Sequence, residues 1–255
     1  MTGKMERVVV TGMGVASPLG CSVEEFWDGL LEGKSGVGSL EGGIFSGMQT
    51  NIGAVVNGLE YAKHFNAKDI RRMSRSSQLG LVAAGQAIQQ AKLDNGNIAR
   101  EGVGIFVGSS IGGFSGSEPY FKSFFETDRL SPFTIPISMN VGPGSNISIK
   151  YGFRGPLINV DAACSSAAHS IGQAFSMIRN GNLEIAVAGA ADSPFSPAVV
   201  AAWVALRAVS TYAGDPSEAC RPFSADRDGM VLGEGAGILV LEAESHALKR
   251  GVPIL

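Results

Sequence analysis

The stretch PLINVDAACSSAAHSIGQAFSMIRNGN, Pro156 to Asn182, decides how this chain is read. Pro156 to Asp161 reads as an apolar strand. The chain then turns through small residues, Ala162, Ala163, Cys164, Ser165 and Ser166. A helical run follows, with Ala167, Ala168, Ile171, Ala174, Phe175 and Ile178 at helical spacing, and "RNGN" supplies the glycine stop. Apart from serines, His169 and Gln173 the run has no polar face, which predicts a helix buried nearly all round. Strand, tight turn, cysteine and helix together make a nucleophile elbow.

The elbow has a chemical purpose. A cysteine in the first helical turn feels the positive end of the helix dipole, which favours thiolate over thiol. Small neighbours let a substrate carbonyl come close, and the backbone N–H of Cys164 can help form an oxyanion hole. A buried cysteine acting as a small hydrophobe fits the same local features equally well. Cys21 and Cys220 lack the elbow setting and read as ordinary cysteines.

Outward from the elbow, short β-rich runs alternate with helical ones, the pattern of an α/β fold. "RVVVTG" opens the chain as a strand, and Ser22 with Glu25 makes a capping box for a helix through Trp27 and Leu31. Ser76 to Leu93 repeats apolar residues at helical spacing. Val103 to Gly108 reads as a buried strand and Leu183 to Asp192 as another. "GMVLGEGAGILVLEA" reads as two strand-like runs around "GEGAG", and "ESHALKRG" as a short exposed helix.

Composition bounds the class. Of 255 residues, 45% are hydrophobic and 17% charged, which supports a compact core and excludes disorder. The net charge of −3 gives no reason to expect nucleic acid or a membrane as partner. No apolar run approaches the ~20 residues of a membrane span, and the N-terminus lacks the features of a signal peptide. Three widely spaced cysteines fit free thiols in a reducing cytoplasm better than disulfides or a metal site. "GMGVAS" lacks the third glycine of a dinucleotide loop, and "GSSIGG" has no Lys-Ser/Thr after it.

The three histidines make poor partners for Cys164. His169 lies five positions on, about 140° round the helix at ~100° per residue, and reads as a hydrogen-bonded core histidine. His246 reads as solvent-exposed, and His64 falls in a polar connection. Lys68, Arg71, Arg72 and Arg75 can form a basic patch for an acidic carrier, and a solvated helix face explains them equally well.

Five stretches, in order, resemble the β-ketoacyl-acyl carrier protein synthases, most closely the elongating type II enzymes. They are "RVVVTGMGVASPLG", "VGSSIGG", "SPFTIPISMNVGPGSNISIKYGFRGP", "VDAACSSAAHSIGQAF" and "CRPFSADRDGMVLGEGAGILVLE". The resemblance implies a thiolase-like α/β fold, with residues 1–255 forming its N-terminal half: a mixed sheet covered by helices around a central buried nucleophile helix. It implies that Cys164 accepts an acyl group from an acyl carrier protein or coenzyme A thioester. Decarboxylation of a malonyl thioester then drives a Claisen condensation in fatty acid or polyketide synthesis, with no cofactor. Ile111 matches a residue lining the acyl tunnel, and Phe133 a position that reaches across a dimer interface. Ala163 and Met230 match the substrate pocket, Met230 replacing a common Phe; Ala162 stands where many relatives have Thr or Ser. Asp226 and Asp228 match a scaffold segment.

Relatives continue past "KRGVPIL" into a half carrying two catalytic histidines, a lysine and a second oxyanion loop. The resemblance therefore implies a chain that acts as a homodimer or with a complementary C-terminal half, and condenses little alone. "LEIAVAGAA", Leu183 to Ala191, is expected to be the dimer-pairing strand. A non-catalytic partner subunit that shapes chain length is the alternative, and the presence of Cys164 weighs against it.

Overall fold

In the computed structural model, residues 5–40, 45, 47–95 and 98–255 are described. The chain begins with β1 (Val8–Ala16), α1 (Val23–Leu31), β2 (Gly38–Ser39), β3 (Ile52–Gly53), α2 (Tyr61–His64), α3 (Ala67–Ile70) and α4 (Arg75–Gln90). It continues with β4 (Val103–Gly108), α5 (Gly112–Thr127), α6 (Thr134–Ser138), α7 (Gly142–Tyr151), β5 (Leu157–Ile158) and α8 (Ser166–Arg179). β6 (Ile185–Asp192), α9 (Pro197–Ala205), β7 (Gly235–Ala243) and α10 (Glu244–Arg250) complete it.

The main sheet has the order β1-β7-β6-β4-β5. β4 runs parallel to β5 and β6, while β7 runs antiparallel to β6 and β1, so the sheet is mixed. Side chains alternate across it. Val103, Ile105 and Val107 of β4 and Val187 of β6 join the core under α4 and α7, with Leu79, Ala83 and Ile147. Phe106, Ala186 and Ala188 point the other way, against Ala174 and Ile178 of α8. Each fully buried Leu, Ile or Phe contributes about 1.5–3 kcal/mol relative to exposure. The result is a sheet between two helical layers.

On the first layer the fit is close. Gly12 and Gly14 of β1 lie under α4, and a Cβ on Gly14 would sit 1.9 Å from the Ala83 carbonyl oxygen. Buried carboxylates tie elements together. Glu242 of β7 accepts from Thr11 of β1 at 3.0 Å and from His246 and Arg250 of α10 at 2.5 and 2.8 Å; Arg250 also donates to the Ala91 carbonyl after α4.

Several expectations change. α8 is buried only along Ser166, Ser170, Ala174 and Ile178, and exposes Ala168, His169, Gly172, Gln173 and Phe175. The sheet covers one side of the helix and no described element covers the other, so its small residues do not report all-round burial. The "PLINVD" strand shrinks to two residues, and the first half of "GMVLGEGAG" makes isolated bridges, Met230 to Val209 and Gly233 to Ala54, and no strand. β6 cannot be an open pairing edge, because β4 and β7 already use both of its sides. Ser22 caps α1, but the Glu25 carboxylate takes the Cys21 N–H rather than completing the box. "ESHALKRG" is a helix whose inner side is buried: Ala247 is fully covered, and Arg250 and His246 are only 12% and 19% exposed as side chains.

Candidate active site

Three parallel strands, β4, β5 and β6, end on the same side of the sheet, and the loops after them meet there. Ligand sites in α/β sheets lie at such carboxyl ends. Cys164 sits in the loop after β5, exposed, two residues before the first residue of α8. It therefore lies just outside the helix rather than in its first turn. Ala163 before it adopts φ +49°, left-handed backbone that costs an L-residue about 1–2 kcal/mol.

The turn is held from within. Ser166 Oγ accepts from the Ala162 N–H at 2.9 Å and donates to the Ala163 carbonyl at 2.7 Å, while Ser165 Oγ donates to the Ala162 carbonyl at 2.8 Å. These bonds hold Ala163 in its strained conformation and leave α8 without a side-chain cap. Gly108, at the end of β4, lets the helix seat: a Cβ there would lie 2.8 Å from that of Ser166.

Three residues the sequence analysis did not single out connect the loops. Asp192 at the end of β6 accepts from the N–H groups of Ser110, Ile111 and Ser193 at 2.9, 3.2 and 2.9 Å. Asn140 donates to the Ser110 carbonyl at 2.7 Å and to Asp161 at 3.0 Å, and accepts from the Gly113 N–H at 3.3 Å. Asp161 precedes the Cys164 turn. For Asp161 and Asp192 the sequence signal is a polar residue after a strand, and for Asn140, between α6 and α7, there is none.

The expected site residues divide accordingly. Ile111 precedes the first residue of α5, half-buried, on the loop that Asn140 links to the Cys164 turn. Phe133 lies elsewhere, under Arg72 (4.8 Å from guanidinium carbon to ring centre), in a cavity of about 540 Å³ shared with Met73, Leu81 and Ile149. Met230, half exposed, is tied by backbone bonds to Ala208 and Ser210 rather than to the Cys164 turn. Asp226 and Asp228 are structural: they pair with Arg221 and take hydrogen bonds from Ser224 and Ser210.

Each histidine has a partner other than Cys164. His169 is exposed, not core, because α8 has an open face; its Nδ1 meets the Ser165 carbonyl at 3.0 Å. His246 is largely buried against Glu242. His64 sits against Phe65 (ring centres 6.0 Å apart), and burial, helped by Lys150 and Lys63, holds its pKa below the usual range. The basic patch keeps Lys68, Arg71 and Arg72, all exposed. Arg75 leaves it, being bound to the buried Glu234 carboxylate at 2.8 Å. Among the described residues no helix is long and apolar enough to cross a membrane, and no cluster of His, Cys, Asp and Glu could hold a metal ion.

Residues 5–247 match the model of the Beta-ketoacyl synthase, N-terminal domain. The chain belongs to the beta-ketoacyl synthase family. It is 38% identical over 250 residues to 3-oxoacyl-[acyl-carrier-protein] synthase 2 of Vibrio cholerae, which covers 97% of this chain and 60% of that protein. It is 34% identical to the Staphylococcus aureus (strain N315) protein of the same name, over 98% of this chain and 60% of that one. Among solved structures, a beta-ketoacyl synthase from Burkholderia phymatum superposes with a TM-score of 0.87 at 31% identity, covering 98% of this chain and 62% of that one. A ketosynthase in complex with its type II PKS acyl-carrier protein, bound to the hexaketide, gives 0.86 at 30%, covering 98% and 61%. The fold is thus the thiolase-like α/β fold of the beta-ketoacyl synthases, and this chain spans about 60% of the length of the relatives it matches.

Proposed function

We propose that this chain is the nucleophile-bearing part of a 3-oxoacyl-acyl carrier protein synthase. The observation that carries the reading is Cys164: exposed, on a strained turn, at an uncapped helix N-terminus where three parallel strands end. Cys164 Sγ attacks the carbonyl carbon of an acyl thioester, the carrier thiol leaves with the proton, and the acyl group stays on sulfur. The Cys164 N–H then serves as one oxyanion donor. A malonyl thioester then loses carbon dioxide, its carbanion attacks the acyl carbon, and Cys164 leaves and is reprotonated, releasing a 3-oxoacyl thioester.

In this reading Ala163 and Ile111 flank the acyl group, while Phe133 and Met230 serve the pocket from more distant segments. Lys68, Arg71 and Arg72 offer a basic face to an acidic acyl carrier protein, consistent with a similar ketosynthase solved with its carrier. The histidines of this chain are committed elsewhere, so decarboxylation needs acid–base groups from a complementary C-terminal half. A homodimer would form through β5, an edge strand of the sheet, where Ile158 and, on α7, Ile149 are exposed. Its free thiols suit the cytoplasm.

The test supplies purified chain with octanoyl- and malonyl-carrier and follows carbon dioxide and 3-oxoacyl product. Little or no product is expected from the chain alone. Appreciable product would refute the division of labour, and a strict monomer by light scattering would refute the β5 dimer.

A further inference from the structure

We propose that Asn140 is a specificity-determining positioning residue, holding the Ile111 loop against the Cys164 turn so that a chain carried on sulfur lies along that loop. The inference rests on the reading of Cys164 as the acyl-accepting nucleophile. Its geometry is independent of that reading.

Asn140 uses both ends of its amide. The oxygen accepts from the Gly113 N–H, in the first turn of α5; the nitrogen donates to the Ser110 carbonyl and to the Asp161 carboxylate. One side chain therefore touches the loop that carries Ile111 on two sides and the approach to Cys164 on a third. With its own amide oriented to satisfy both bonds, Asn159 adds a further link, donating to the Asn140 carbonyl at 2.9 Å and to that of Val107 at 3.0 Å.

The surroundings leave the loop little freedom except through this residue. A Cβ on Gly113 would lie 2.5 Å from the Ser138 carbonyl oxygen, and one on Gly112 would lie 2.4 Å from the Ser76 Cβ. The first turn of α5 is thus pressed onto α4 and the end of α6, and Asp192 holds the N–H groups of Ser110 and Ile111 from β6. The Cys164 turn is closed by bonds among Ala162, Ala163, Ser165 and Ser166. Each loop is held by its own hydrogen bonds. Asn140 ties one to the other, through its side chain to Asp161 and through its carbonyl to Asn159.

The experiment alkylates the intact chain with iodoacetamide and with N-octyl iodoacetamide, and measures rates at each cysteine by peptide mass spectrometry. Both reagents lose iodide as sulfur attacks the methylene carbon, so they differ only in the alkyl chain. Cys220, exposed and away from the site, is the internal reference. The preference for the octyl reagent at Cys164 should exceed that at Cys220 by about fivefold, a fraction of what full burial of the chain would give. Asn140→Ala should reduce that excess to less than about twofold, as should Asp161→Ala, which severs the same link from an exposed residue and serves if the first variant folds poorly. Asp161→Asn keeps an oxygen to accept from Asn140 and should retain the preference. No preference in the parent, an unchanged preference in Asp161→Ala, or an Asp161→Asn that behaves like Asp161→Ala would overturn the proposal. A Cys164 that shows the preference yet takes no acyl group from a thioester would sink the nucleophile reading alone.

Discussion

Helices α4 and α8 press on opposite faces of one sheet, are both rich in Ala, Ser and Gly, and are buried in different ways. α4 is enclosed by the sheet on one side and by α7 and α5 on others, so that every residue from Ser76 to Ala84 is buried. Among the described residues α8 packs chiefly on the sheet and keeps one narrow stripe inside. Small residues permit close packing without saying on how many sides it occurs. The enclosed helix lies in the larger buried core, and the open one follows the turn that exposes Cys164.

The contrast can be broken most forcefully in α4. Leu79→Ala, at a fully buried site, should cost about 2–5 kcal/mol in urea unfolding, whereas Phe175→Ala, on the open side of α8, should cost under about 1 kcal/mol. Equal losses would mean that α8 is as enclosed as α4. Gly14→Ala should cost about 3 kcal/mol, near the upper end for overpacking, because its Cβ meets a backbone carbonyl that cannot rotate away. A neutral result there would show that β1 and α4 pack less closely than described.

On α8 the sign should reverse. Nothing lies within 4 Å of a Cβ on Gly172, so Gly172→Ala should stabilise the chain by about 0.5–1 kcal/mol through helix propensity. Destabilisation would reveal a neighbour covering that face. The smallest effect belongs to the segment before β7. A hydrogen bond from Ser210, aided by the Thr211 N–H and Arg221, holds the Asp228 carboxyl below its ordinary range. A depressed carboxylate stabilises the fold above the unfolded value, about 4, and that contribution is lost as pH falls through the lower folded value. The gap in Tm between parent and Asp228→Asn should therefore be full at pH 6 and close below pH ~4. A gap that widened in acid would contradict the assignment.

Much of this was legible in the residues. The elbow, β4, β6 and α4 follow from apolar runs, their lengths and the glycine stop. α5 was hidden, because Gly112, Gly113 and Pro119 are helix breakers by propensity and are held in place by packing. The burial of His246 and Arg250 depends on Glu242, a carboxylate inside an apolar strand that gives no local sign of its partners. Asn140 and Asp192 both bind the loop after β4, and Asn140 also binds Asp161, from segments far apart in sequence. Spacing rules see one element at a time; a site built from three loops lies beyond them.

The most direct measurement is the intact mass of the purified chain after incubation with an octanoyl thioester of acyl carrier protein, beside Cys164→Ala. The account predicts one octanoyl-sized gain, absent from the variant although Cys21 and Cys220 remain. No gain, or a gain that survives in Cys164→Ala, would contradict the claim that this turn is the acyl-accepting site.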